Sequence, residues 1–209
     1  MLDFNLVLSL SLACAPGVAP ETLAAVAWTE SRFDPLAIGV NSGPRPPRRA
    51  SDAAEAARIA RDLLARGANL DLGIGQINSS NLDWLDLSVE QAFDPCRNLS
   101  AAGRVLRAGY RPRPGEPPQT ALRRALSRYN TGDPRRGFAN GYVGRVENAA
   151  ARLGLAAPAA AVAPAPSPLS PASEPSPQPS PAPWDVFGRA RYSAVLAFAI
   201  AAPEWSPIP

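Results

Sequence analysis

"VAWTESRFDPLAIGVN", residues 26–41, sets an acid where an amphipathic helix buries apolar side chains. Upstream, Pro20 suits a first helical turn and Glu21 favours its positive end, so a helix is expected from there to about Arg32. Leu23, Val26 and Ala27 mark an apolar stripe at helical spacing; Glu30 is the next position on it, and Phe33 follows three residues later. Asp34 and Pro35 then stop the helix, because proline disfavours a helical residue before it. A glutamate on a buried stripe, at the negative end of a helix, is pushed toward its neutral form by both surroundings. Lifting a carboxyl about two units from its ordinary 4.3 costs roughly 2.7 kcal/mol of differential solvation. Such a cost is retained where an acid must keep its proton at neutral pH, the pattern of a glycosidase general acid in an apolar pocket. The plain alternative for Glu30 is a solvated glutamate at a helix end.

Outward from this stretch the chain reads as helices. Ser51 or Asp52 starts an Ala- and Arg-rich helix ending near Gly67, and "DLGIGQIN", residues 71–78, reads as a Gly-punctuated tight turn. "SVEQ" from Ser88 has the spacing of a capping box. Asp94 and Pro95 open a helix with Leu99, Ala102, Val105 and Leu106 on one face. "PPQTALRRALSRYN" gives a further helix ending at "NTG", and "GYVGRVENAAARLG" the last. Roughly six or seven helices with few strand signals indicate a mainly α domain over residues 1–155. Residues 156–183 hold ten prolines and one charge, Glu174. They are expected to form a disordered, extended linker. Residues 184–209 then offer an apolar segment too short to span a bilayer, expected to dock on this domain or on a partner.

Composition narrows the chemistry. The chain has no histidine, so Ser-His-Asp and Cys-His catalysis and His-built zinc sites are excluded. Proton transfer must run through Glu, Asp or Tyr. The net charge of +3, carried by arginine with no lysine, is too small to argue for nucleic acid. Cys14 and Cys96 cannot make a four-cysteine metal site. They are either unpaired thiols or one disulfide closing a loop of about eighty residues, worth roughly 4 kcal/mol. The apolar run at residues 4–13 resembles an export signal, but it follows Asp3 and no basic residue. It is read as the first core helix, and no stretch is apolar and long enough for a clear transmembrane helix.

Three segments read together, "TESRFDP", "DLGIGQIN" and "SRYNTG", resemble the lysozyme-like lytic transglycosylases. The similarity is to the peptidoglycan-cleaving components of type IV secretion and conjugation systems, over roughly residues 12–154. The matching residues are Glu30 with Ser31, Gly73, Gly75 and Gln76 with Asn78, and Tyr129 with Asn130 and Gly132. The resemblance implies a lysozyme-like helical fold of the goose-type or soluble lytic transglycosylase kind. It also implies cleavage of glycan strands between N-acetylmuramic acid and N-acetylglucosamine, with closure of a 1,6-anhydro ring. Glu30 would be the single catalytic acid and base. Ser31 would orient it or the substrate, Gln76 would donate hydrogen bonds to sugar, Asn130 would bind sugar, Gly75 would allow close approach, and Tyr129 would hold Glu30 or pack beside it. Asn78 belongs to the same substrate-binding set. The family's paired cysteines imply a disulfide between Cys14 and Cys96 and a place in the periplasm or cell envelope. No metal or organic cofactor is implied, and secretion components are expected partners of residues 184–209.

The residues also depart from the family pattern. No second acid stands in a matching motif, and Asp34 reads as a helix stop. Arg128 stands where relatives carry a small residue, and it either contacts the acidic peptide stem or faces solvent. Residues 42–70 are longer than the usual spacing and form a candidate flap. The rival readings are a hydrolysing muramidase, a non-catalytic wall-binding scaffold and, least favoured by the charge, a nucleic-acid binder.

Overall fold

Asp3 opens the first helix, α1 (Phe4–Cys14), by accepting the Leu6 N–H at 3.0 Å. The structure, a computed structural model, describes residues 1–155. The linker expected at 156–183 and the docking segment at 184–209 lie outside the described residues. Helix α1 buries Val7 and Ser11 against α2 (Pro20–Ser31), and its last residue, Cys14, is disulfide-bonded to Cys96. That pairing, left open by composition, ties α1 to the start of α5 (Pro95–Gly109), with Cα atoms 5.4 Å apart.

Helix α2 is more deeply set than a one-sided stripe requires. Residues 22–27 are buried in succession, so the helix is enclosed all round in its middle. The small residues Ala24, Ala25 and Ala27, each 1% exposed or less, let α8 (Tyr142–Arg152), α1 and α5 approach it. Its end is also built differently from the expectation. Arg32 and Phe33 both take left-handed backbone, with φ of 58° and 65°, and terminate the helix ahead of Pro35. Asp34 follows as a buried turn residue, accepting the Leu36 N–H and pairing with Arg49.

The sheet is the element that the sequence reading missed. Strands β1 (Ile38–Ser42), β2 (Asn69–Leu72) and β3 (Ile77–Asn78) form an antiparallel sheet in chain order. "DLGIGQIN" is therefore the end of β2, a turn at residues 73–76 and β3, rather than a turn alone. Asn69-Leu70-Asp71-Leu72 alternates, with Leu70 and Leu72 buried and the polar residues half-buried on the other face. Cross-strand pairing sets Gly39 opposite Asp71 and Asp71 opposite Asn78. Residues 42–70, expected as a candidate flap, divide into a largely exposed stretch at 43–52 and a packed helix. That helix, α3 (Ala53–Ala65), is capped by Asp52 and packed into the core through Ala56, Ile59, Ala60 and Leu63.

The remaining elements follow the sequence closely. Ser88 and Gln91 exchange capping-box hydrogen bonds of 3.0 and 3.2 Å, although what they open is a single 3-10 turn, Gln91–Phe93. A short α4 (Leu82–Leu85) precedes α5. Helix α6 (Pro118–Thr131) ends at Gly132 in left-handed conformation, α7 (Arg136–Ala139) is one turn, and α8 closes against α2. No helix among the described residues is long and apolar enough to cross a membrane.

Candidate active site

The end of α2, the turn after β2 and the face of α6 meet at an open cleft of about 570 Å³. Glu30, Asp71, Gln76, Asn78, Tyr129 and Asn130 all line it, so the three sequence motifs come together in space. Gly75 stands just behind, buried under Tyr129 and Asn98.

Glu30 is the acid the sequence pointed to. Burial raises its carboxyl from an ordinary 4.5 to about 7; the Tyr142 hydrogen bond and Arg145 act downward, and the nearby Asp71 acts upward. Tyr142 Oη donates to Glu30 Oε1 at 2.5 Å. Desolvation holds the Tyr142 phenol well above its usual range, with Glu30 adding to the effect, so it stays protonated and donates. Burial thus favours the protonated carboxyl, the form in which such a group can act as a general acid.

Tyr129 does not hold Glu30. Its hydroxyl donates to the Gly75 carbonyl at 2.6 Å, and so fixes the glycine turn next to the acid. The residue that holds Glu30 is Tyr142, on α8, which sequence reasoning passed over inside "GYVGRVENAA". Its signal was present: Tyr142, Val143, Val146, Ala149 and Ala150 form a buried helical face. A tyrosine opening that face must find a partner for its hydroxyl.

Ser31 works on the backbone. Its hydroxyl donates to Ile74 O at 2.7 Å and accepts from Asp34 N at 3.1 Å, joining the end of α2 to the turn. Asn98, 0% exposed, holds the same turn from beneath, accepting Gly75 N at 2.7 Å and donating to Leu72 O and Ala92 O. Gly73 has a φ of +73°, and a Cβ there would lie 2.1 Å from Ala92 O, so only glycine fits. Gln76, itself at φ +50°, donates through Nε2 to Gly73 O and Ala37 O. Its Oε1 occupies the space that a side chain at Gly39 would need. The amide of Gln76, expected to donate to sugar, instead donates to backbone carbonyls and braces the turn. Asn130 accepts from Asn140 at 2.8 Å and is exposed on the cleft wall.

The sheet contributes a second carboxylate, Asp71, the first residue of "DLGIGQIN", which corrects the reading that no second acid stands in a matching motif. Asp71 accepts the side-chain amides of Asn41 and Asn78, each at 2.8 Å, on its two oxygens. The strand alternation would have revealed it: once Leu70 and Leu72 face the core, Asp71 faces Asn78 and the cleft. Trp84, 47% exposed, also lines the cleft. Its ring is fixed by a bond from Nε1 to Asn81 and by Arg104 stacked 5.6 Å from its centroid.

The chain is similar in sequence to known proteins. The chain is 46% identical over 141 residues to the protein virB1 of Agrobacterium fabrum, covering 67% of this chain and 57% of that protein. It is 48% identical over 143 residues to virB1 of Rhizobium radiobacter, covering 67% and 59%. The type IV secretion system protein virB1 of Brucella abortus is 44% identical over 135 residues, covering 63% and 56%. The chain thus spans less than two thirds of the length of these curated relatives. No solved structure matches it. The model of the transglycosylase SLT domain matches residues 8–151, which takes in every site residue described above, and the chain belongs to that family.

Proposed function

We propose that this protein is a lytic transglycosylase that cleaves peptidoglycan between N-acetylmuramic acid and N-acetylglucosamine. The observation that carries the reading is a buried glutamic acid, bonded to Tyr142 and raised by burial to about 7, on the wall of an open cleft. Glu30 gives its proton to the glycosidic oxygen as the bond from the muramic acid C1 breaks. Tyr142 engages Oε1, which leaves Oε2 for the proton in transit. The Asp71 carboxylate, anchored by two asparagines, favours the positive charge that grows at C1. The muramic acid C6 hydroxyl then attacks C1 and returns its proton to Glu30. The product is a 1,6-anhydro sugar, and no water is consumed. Trp84 offers a fixed apolar face for a sugar ring.

The relatives bearing the name type IV secretion system protein support a setting in which a secretion or conjugation apparatus crosses the wall. The Cys14–Cys96 disulfide supports an oxidising compartment, which fits the periplasm or cell envelope. In this reading residues 184–209 dock on components of that apparatus.

Asp71 favours one rival. Two carboxylates on one cleft are the equipment of a hydrolysing glycosidase, in which the second acid serves water or the anomeric carbon. Mass spectrometry of fragments released from purified sacculi separates the readings. Anhydro ends identify the transglycosylase, and products heavier by one water identify the muramidase. Glu30→Gln is expected to abolish release. Full release by that variant removes Glu30 as the acid, and no release by either form favours a non-catalytic scaffold.

A further inference from the structure

We propose that Arg111 and Arg128 form an anion subsite in the cleft that binds a carboxylate of the peptide stem carried by the glycan strand. The inference rests on the transglycosylase reading and extends it from the sugars to the peptide.

The close contact of α5 with α6 brings the two arginines together. A Cβ at Gly109 would lie 3.3 Å from Ala125 O and 3.4 Å from Arg128 Cβ. Arg128 Nη1 donates to Gly109 O at 3.0 Å, and Arg111 Nε donates to Ala108 O at 3.3 Å. These bonds close the carbonyl end of α5, as basic residues do at many helix ends. They use a single N–H from each guanidinium, which carries five. Both side chains line the cleft that holds Glu30, and neither forms an ion pair among the described residues.

The acids nearby are engaged elsewhere. Glu116 is gripped by Arg124 at 2.6 and 2.8 Å and accepts Arg113 N at 3.0 Å. Asp133 accepts the backbone N–H groups of Arg135 and Arg136, and acts on Arg128 only through space. Partial burial, with Arg111, Arg124 and Arg113 close by, pushes the Arg128 guanidinium below its usual range. Arg124 has Glu116 as its counterion, but Arg111 and Arg128 have no acid in contact among the described residues; their like charges repel, and a bound anion relieves that repulsion. A planar carboxylate matches the guanidinium fork, and stem peptides are the carboxylate-bearing part of the proposed substrate.

The test uses the full chain and three soluble glycan substrates: one with stems carrying free carboxylates, one with those carboxylates converted to amides, and one without stems. The expected result is a kcat/KM about tenfold higher on carboxylate than on amide stems, the scale of a partly exposed charge-assisted hydrogen bond. That ratio should fall toward one in the double variant Arg111→Gln, Arg128→Gln and as salt rises. A wild-type enzyme that cleaves all three without preference overturns the subsite and leaves the transglycosylase reading standing. So do variants that keep the wild-type ratio, as expected of arginines that only close α5. A wild-type enzyme that cleaves none of the three overturns the functional reading and the subsite with it. Should the double variant lose its fold, Arg111→Gln alone and the wild-type comparison decide.

Discussion

At Glu30 two opposing effects meet. Burial favours the neutral acid, while the Tyr142 hydroxyl and Arg145 favour the carboxylate; burial wins, and the group titrates near 7. The two neighbours make the balance testable, because they act in opposite directions. Tyr142→Phe removes a bond to the charged form, so the alkaline limb of the pH–rate profile should move to higher pH. Asp71→Asn removes a like charge, so the same limb should move to lower pH. Shifts in one common direction would contradict the assignment. The raised carboxyl also costs stability. Below 4.5 both folded and unfolded Glu30 hold the proton, and the cost is absent. It grows as pH rises from there and is complete above 7, where folding confines a charge that water would solvate. Glu30→Gln should therefore melt higher than the wild type at pH 8, by about 1–3 kcal/mol of stability, with the gain vanishing toward pH 4.5. The place of Glu30, beside the buried stripe of α2, was legible in the sequence. Tyr142 and Asp71 carried only indirect signals, a buried helical face and a strand alternation, because one acts across 112 positions of chain and the other depends on a strand pairing.

Among the elements, helices were readable and the sheet was not. The helix boundaries rested on local signals: Asp3, Asp52 and Asp94 accept backbone N–H groups at the first turns, and Gly132 takes the left-handed cap. Strands β2 and β3 are short and carry two glycines between them, so the turn residues masked the alternation. The end of α2 fell where it was expected, at Ser31 with Arg32 as its cap, but the backbone that makes the stop was not foreseen. Pro35 is a visible stop, whereas left-handed Arg32 and Phe33 are imposed by packing, with the Phe33 ring against Phe4 and Trp28. The glycine turn beside Glu30 depends on Asn98, whose side chain makes three bonds to backbone in a dry interior. Asn98→Ala strands those groups, and the expected loss is about 2–4 kcal/mol, measured by denaturant unfolding. Asn98→Asp, which keeps the acceptor for Gly75 N but not the donors, should not restore it.

Across the whole molecule, the arrangement keeps one carboxyl dry while leaving a cleft open beside it. Helix α2, enclosed by α1, α5 and α8, delivers Glu30 to the cleft wall, and the disulfide clamps α1 onto α5 behind it. The bridge closes 82 positions of chain, so the double variant Cys14→Ser, Cys96→Ser should lose roughly 4 kcal/mol of stability. Its alkaline limb should stay in place if the cleft survives. Composition limits the chemistry at this scale, since a chain without histidine leaves proton transfer to Glu, Asp and Tyr. The most direct measurement is the carboxyl resonance of Glu30 in the carbon-13-labelled full chain, followed by NMR against pH and assigned with Glu30→Gln. A midpoint of about 7 is expected, and a midpoint at the ordinary 4.5 would contradict the account.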